Sequence, residues 1–242
     1  MPTDRFGQPI GAPVPGFTPP ARPARTAMRG AYVDIEPLEI ERHAPSLFRA
    51  QAEDRDGRRW TYLAFEQPAT EAAYREFLAS VSGGDDPLFH AIVDRASGDA
   101  VGLCSFLRID PRNASIEIGH LNFAPRLSRT RGATEAIFLL MRRAFAELGY
   151  RRFEWKCDAL NEPSRRAAER FGFTFEGIFR QATVYKGRNR DTAWYSIVDG
   201  EWPALERAYT RWLAPANFDA AGTQRESLGS LVGATSVAIP LD

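Results

Sequence analysis

In residues 128–134, Ser-Arg-Thr-Arg-Gly-Ala-Thr, two arginines and several small residues stand directly before an amphipathic helical pattern. The first N–H groups of a helix lack intrahelical acceptors, and the helix dipole is positive at that end, so such a junction favours a bound anion. Gly132 and Ala133 are compact enough for a ligand to reach the backbone, and Arg129 and Arg131 can add charge-assisted contacts. Residues of these types in this order suit a phosphate-bearing cofactor.

The helix that must hold this loop is read over residues 133–148. Ile137, Phe138, Met141, Phe145 and Leu148 recur at steps of one, three and four, Arg142, Arg143 and Glu147 lie off that stripe, and Gly149 stops the run. Upstream, period-two patterns predict strands over residues 32–40 (broken by Pro37), 88–94, 100–109 and 115–123, with helices over 44–52 and 71–80. Downstream come a strand over 152–159, a helix over 163–171, a hairpin of 174–185 with 191–198, and a closing helix over 202–213. A strand–helix–strand passage inside an antiparallel meander predicts a mixed α/β layer, with a mostly antiparallel sheet flanked by helices.

Seven prolines among the first 28 residues exclude a helix or a paired strand there, although Phe6, Ile10 and Phe17 could pin this arm to a surface. The organisation expected is thus a proline-rich arm (1–28), one domain (29–213) and an Ala/Gly/Ser-rich tail (214–242). Lys plus Arg equals Asp plus Glu at 31 each, which gives no reason to expect nucleic acid or an anionic membrane as partner. Cys104 and Cys157 are far apart in apolar surroundings and read as buried free thiols, and no metal-ligand cluster is visible. No apolar run approaches the ~18 residues of a membrane span, and the first residues lack the apolar core of a secretory signal, so the compartment expected is the cytoplasm.

This order of elements, with the residues that punctuate it, resembles the GNAT superfamily of acetyl-CoA-dependent N-acetyltransferases over residues 30–212, and within it the branch of ribosomal-protein N-terminal acetyltransferases. The superfamily's pyrophosphate loop, Gln or Arg, two residues, Gly, one residue, then Gly or Ala, is similar to Arg129-Thr130-Arg131-Gly132-Ala133-Thr134, with Thr134 departing at the last position. Glu117-Ile118-Gly119-His120, Asn161-Glu162-Pro163-Ser164, the run from Arg166 to Phe173 and the run from Gly187 to Pro203 add to the likeness.

The resemblance implies a GNAT-like acyl-CoA N-acyltransferase fold in which acetyl-CoA is a co-substrate and no metal takes part. Its pantetheine arm would lie in a splay between the strands at 115–123 and 152–159, with Leu121, Asn122 and Phe123 contacting it. Residues 129–134 would hold the pyrophosphate. Transfer to a primary amine by direct attack in a ternary complex calls for a base, and Glu117 matches a Glu that some members use; a structural ion pair is the alternative. The helix after the next strand lacks the Tyr that many members place near the departing sulfur, and Ser164 is the substitute, with Asn161 beside the cofactor arm; both residues also suit a helix cap. Trp155, Arg180, Tyr185, Asp191 and Trp194 are candidates for the acceptor groove, though aromatic residues on paired strands often only pack. His120 has the opposite strand parity to Glu117, so the two should face opposite ways, and it reads as a packed ring.

A catalytically silent acyl-CoA sensor or scaffold is the alternative, and an interaction protein that presents Thr18-Pro19-Pro20-Ala21-Arg22-Pro23 is a third reading. The acceptor class is open between a small amine and a protein N-terminus, and a homodimer is compatible with the sequence.

Overall fold

The computed structural model describes residues 1–233. One eight-stranded sheet runs in the order β1 (Met28–Arg29), β2 (Val33–Pro37), β3 (Leu88–Asp94), β4 (Ala100–Asp110), β5 (Ser115–Phe123), β6 (Arg152–Asp158), β8 (Arg188–Val198), β7 (Thr174–Tyr185). Every neighbouring pair is antiparallel except β5 and β6. That exception follows from the crossover helix α3 (Arg131–Arg142), since parallel neighbours cannot be joined by a hairpin. The remaining helices are α1 (Ile40–Gln51), α2 (Glu71–Ser82), α4 (Glu162–Arg170), α5 (Trp202–Leu213) and α6 (Leu228–Gly233).

Strand alternation divides the apolar residues between two cores. Phe106, Ile116, Ile118, Phe153, Trp155 and Tyr195 pack against α3, α5 and α6 on one face. Phe89, Leu103, Trp60 and Tyr74 pack with α1 and α2 on the other. The strands expected at 88–94 and 115–123 and the helix at 202–213 have the bounds that periodicity indicated. The strand expected over 32–40 ends at Pro37, where the missing N–H breaks the ladder, and α1 begins at Ile40. The long helix starts at Arg131, loosens into a π turn over Arg143–Glu147, and closes at Gly149, whose φ of 78° a side chain would resist.

The arm is fixed to the domain by other groups than its exposed Phe6, Ile10 and Phe17. Pro20 and Pro23 are buried, Tyr150 donates to Ala21 O at 3.2 Å, and Arg143 donates to Thr26 Oγ1 at 2.8 Å. In the tail, Leu228 and Val232 enter the larger core and Phe218 packs on it; residues 234–242 of that expected segment lie outside the described residues. Among the described residues no helix is long and apolar enough to cross a membrane.

Candidate active site

The parallel ladder between β5 and β6 is four residues long. It runs from Ser115 opposite Arg152 to Ile118 opposite Trp155, after which the strands part while each keeps its other neighbour. Gly119–Phe123 of β5 and Lys156–Asp158 of β6 therefore flank a gap with backbone groups turned into it. The parting coincides with a bulge. Ser105 pairs with Gly119 but Leu103 with Asn122, so β5 carries one extra residue, and His120 has a φ of 50°.

The bulge reverses the alternation on which the orientation of His120 was expected. Its Nδ1 lies 2.8 Å from Ser105 Oγ and its ring 4.7 Å from that of Phe89, both on the α1/α2 face, which is also the face of Glu117. His120 and Asn122 line a cavity of about 30 Å³ with Leu63, Ala64, Phe65, Phe77, Phe89 and Leu103. Asn122 is 5% exposed and its Nδ2 has no partner among the described residues, while its backbone carbonyl accepts from Gln51 Nε2 at 3.0 Å. Leu121 and Phe123 point to the opposite core.

At the head of α3, Thr130 is the N-cap, its Oγ1 accepting from Ala133 N at 3.2 Å. The N–H groups of Arg131 and Gly132 have no protein acceptor among the described residues. Arg129 turns the loop at a φ of 63°. The Arg131 guanidinium stacks on Phe218 at 3.7 Å and faces Tyr32 at 5.7 Å, without an acidic partner among the described residues. Thr134 Oγ1 accepts from Arg170 at 3.3 Å inside the fold. At Gly132 the close neighbour is protein: an added Cβ would lie 2.8 Å from Val33 Cγ1, so the small residue is required by β2. Along the loop side of β2, an open cavity of about 520 Å³ includes Tyr32, Arg126, Thr130 and Arg131 in its walls.

Glu117 is 3% exposed and sits in a ladder of opposite charges across the sheet. Its Oε2 accepts from Arg108 at 2.7 Å and Lys156 at 2.9 Å, and Lys156 also meets Glu154 at 2.8 Å. Burial pushes the Glu117 carboxyl above its usual range, opposed by the two cations. Lys156 Nζ also lies 3.6 Å over the Trp194 ring, which packs on Phe179 at 4.3 Å.

On the opposite face, Trp155 Nε1 donates to Ser164 Oγ at 3.0 Å and packs on Phe171 and Phe173. Asn161 caps α4 through Oδ1, which accepts from Ser164 N at 3.2 Å; the serine hydroxyl is thus left beside the end of β6. Tyr185 donates to Asp158 Oδ2 at 2.8 Å, and burial, helped by this pairing, pushes the phenol up to about 12. Asp191 accepts from Gln181 N at 2.7 Å and from Asn189 Nδ2, fastening the exposed hairpin, and Arg180 is exposed nearby. The structure therefore gathers Glu117, Trp194 and Tyr185 on one sheet face, sets Trp155 and Ser164 on the other, and leaves Arg180 and Asp191 outside.

Sequence reasoning missed Lys156, Asp158 and Ser105. The alternation Glu154, Lys156, Asp158 was available as a signal for the first two; Ser105 acquires its role only through the bulge. Also unforeseen is the bridge over the strand ends, where Lys186 donates to Trp60 O at 2.8 Å and Arg188 to Thr61 O at 3.0 Å.

Known proteins share the sequence pattern and the fold. The family described as "Acetyltransferase (GNAT) domain" matches residues 33–174. The chain is 30% identical over 176 residues to the Bacillus subtilis (strain 168) protein named "Putative ribosomal N-acetyltransferase YdaF", covering 69% of this chain and 90% of that one. A GCN5-related N-acetyltransferase from Brucella melitensis superimposes with a TM-score of 0.89 at 50% identity, covering 91% of this chain and 100% of that one. A probable GNAT-family acetyltransferase from Chromobacterium violaceum ATCC 12472 gives 0.75 at 42% identity, covering 81% and 98%. With the splayed β5–β6 pair and the capped loop before α3, these matches establish that the chain belongs to the GNAT acetyltransferase family.

Proposed function

We propose that this acetyltransferase moves the acetyl group of acetyl-CoA to a primary amine by direct attack in a ternary complex. The observation that carries the reading is the gap between β5 and β6, which opens after Ile118 and Trp155, with β5 running on from it into the loop that ends at the Thr130 cap of α3. An amide-bearing arm can extend such a parted ladder, and its phosphates meet the free N–H groups of Arg131 and Gly132. Arg129 and Arg131 supply unpaired positive charge at the same end. A thioester carbonyl held near residues 121–123 would find backbone donors for its developing oxyanion.

Ser164 is proposed to hydrogen-bond the departing sulfur: Trp155 donates to its oxygen, and the hydroxyl proton, which faces the Cys157 thiol, would turn to the CoA thiolate. The acceptor would approach from the Glu117 face, under the bridge formed by Lys186 and Arg188, with Trp194 and Tyr185 beside it. The relative named as a ribosomal N-acetyltransferase favours peptides with free N-termini as the first acceptors to try.

Mass spectrometry of products from acetyl-CoA and a panel of small amines and peptides with free N-termini tests the activity. A mass gain of one acetyl group on an amine is the expected result. Acetyl-CoA at about 100 times its dissociation constant should also stabilise the chain by roughly 2.7 kcal/mol. Stabilisation without transfer to any amine would favour an acyl-CoA-binding sensor instead, and neither effect would overturn both readings.

A further inference from the structure

We infer that His120, through Nε2, accepts the proton released when the amine attacks the thioester. The inference rests on the transfer reaction proposed above and names a group within it.

Four observations converge on this imidazole. It stands two residues past Ile118, the last β5 residue paired to β6, and therefore at the start of the gap. Its φ of 50° is a backbone state that a side-chain-bearing residue rarely adopts; such strain costs about 1–3 kcal/mol and collects where function requires it. The bulge turns the ring to the face from which the acceptor would come, stacks it on Phe89, and places it in the wall of a small cavity beside the unpartnered Asn122 Nδ2. Finally, Ser105 Oγ donates to Gly119 O at 3.3 Å and lies 2.8 Å from His120 Nδ1. With its only proton directed at Gly119, the hydroxyl accepts from Nδ1–H, and the tautomer that satisfies both contacts leaves the Nε2 lone pair free.

Glu117 is less suited to the task. Both cations bond its Oε2, so a proton placed on this carboxylate would weaken two ion pairs in the sheet. His120 has no acidic partner among the described residues, and burial together with Arg108 lowers its pKa to about 4, so the ring is neutral at pH 7.

The amine nitrogen bonds to the acetyl carbon, the C–S bond breaks with its electron pair remaining on the CoA sulfur, and the N–H proton passes to Nε2. The thiolate, hydrogen-bonded by Ser164, leaves as a counter-charge to the imidazolium, which then returns its proton to solvent.

Nitrogen-15 NMR of the labelled rings tests the tautomer without any activity: Nε2 should be the unprotonated nitrogen at pH 7, and a protonated Nε2 overturns the inference. With acetyl-CoA and either ethylamine or a peptide with a free N-terminus, His120→Gln and His120→Ala should lower turnover about 10²-fold or more. The acetyl-CoA-induced rise in Tm should stay as in the wild type. Added imidazole should restore part of the rate to His120→Ala, and substituted imidazoles should do so in order of their basicity. Wild-type turnover in His120→Gln, or rescue indifferent to basicity, overturns the inference. If His120→Ala does not fold, His120→Gln keeps the ring's approximate volume and carries the rate test. A wild-type chain that acetylates neither acceptor refutes the proposed function itself, whereas active wild type with unaffected variants refutes only the role of His120.

Discussion

The two halves of β5 are made of similar residues and do different work. From Ser115 to Ile118 the strand is paired on both sides, and its one ionisable side chain, Glu117, is held by Arg108 and Lys156. From Gly119 to Phe123 it has lost β6, gained an extra residue, and presents His120 beside Asn122, whose Nδ2 has no partner among the described residues. A fully laddered strand confines its side chains to structural partners; a strand freed on one edge exposes backbone and side chain to a ligand. Glu117 and His120 stand three residues apart on one strand, yet they differ in surroundings: the carboxylate is held by two cations, and the imidazole has no acidic partner among the described residues.

The largest effect that could break this comparison is at Glu117. Glu117→Gln should cost about 3 kcal/mol, the lower end for breaking a buried pair, because Lys156 keeps Glu154 and Arg108 is solvated, and Lys156→Met combined with Glu117→Met should recover part of it. Denaturant unfolding of the two variants measures both quantities. A Glu117→Gln chain of unchanged stability that has lost turnover would exchange the roles assigned to the two halves.

Acid stability sharpens the comparison from the other half. His90 and His120 are each lowered to about 4 by burial. Their folded values lie below the unfolded ~6.5, so the unfolded chain binds more protons, and the stability they contribute is complete above that value and lost as pH falls toward 4. Each imidazole should account for on the order of 3 kcal/mol across that window. Melting curves of His120→Gln between pH 7 and 4 should show a correspondingly smaller loss; an identical pH dependence would mean that the ring is exposed to solvent.

The smallest effect lies across the gap, in α4. Asn161→Ala should lose about 1 kcal/mol, since it removes the cap on Ser164 N, while Ser164→Ala keeps that cap and should act mainly on transfer. Equal stability losses in the two variants, with unchanged rates in both, would make this turn purely structural.

Much of the fold was legible locally. The apolar run at 88–94 bounded by turn residues, the strand pattern at 115–123 and the stripe from Ile137 to Phe145 identify elements because burial leaves a local apolar pattern in the sequence. Their order also indicated a mixed sheet, and Arg129–Thr134 was visible as a helix start because capping chemistry is written in adjacent residues. The roles of individual side chains depend on contacts distant in sequence. Gly132 is small because Val33 lies against it, Asn161 rather than Ser164 caps α4, and the tail is tied to the domain by Leu228.

The sequence by itself determined the layers, the one parallel pair and the family resemblance, since periodicity, helix starts and turn residues are short-range properties. Only the tertiary structure decided which of Glu117 and His120 is free. One extra residue in β5 reverses the faces that alternation assigns, and whether a strand bulges depends on its register with β4 and the end of its ladder with β6, which no local pattern records.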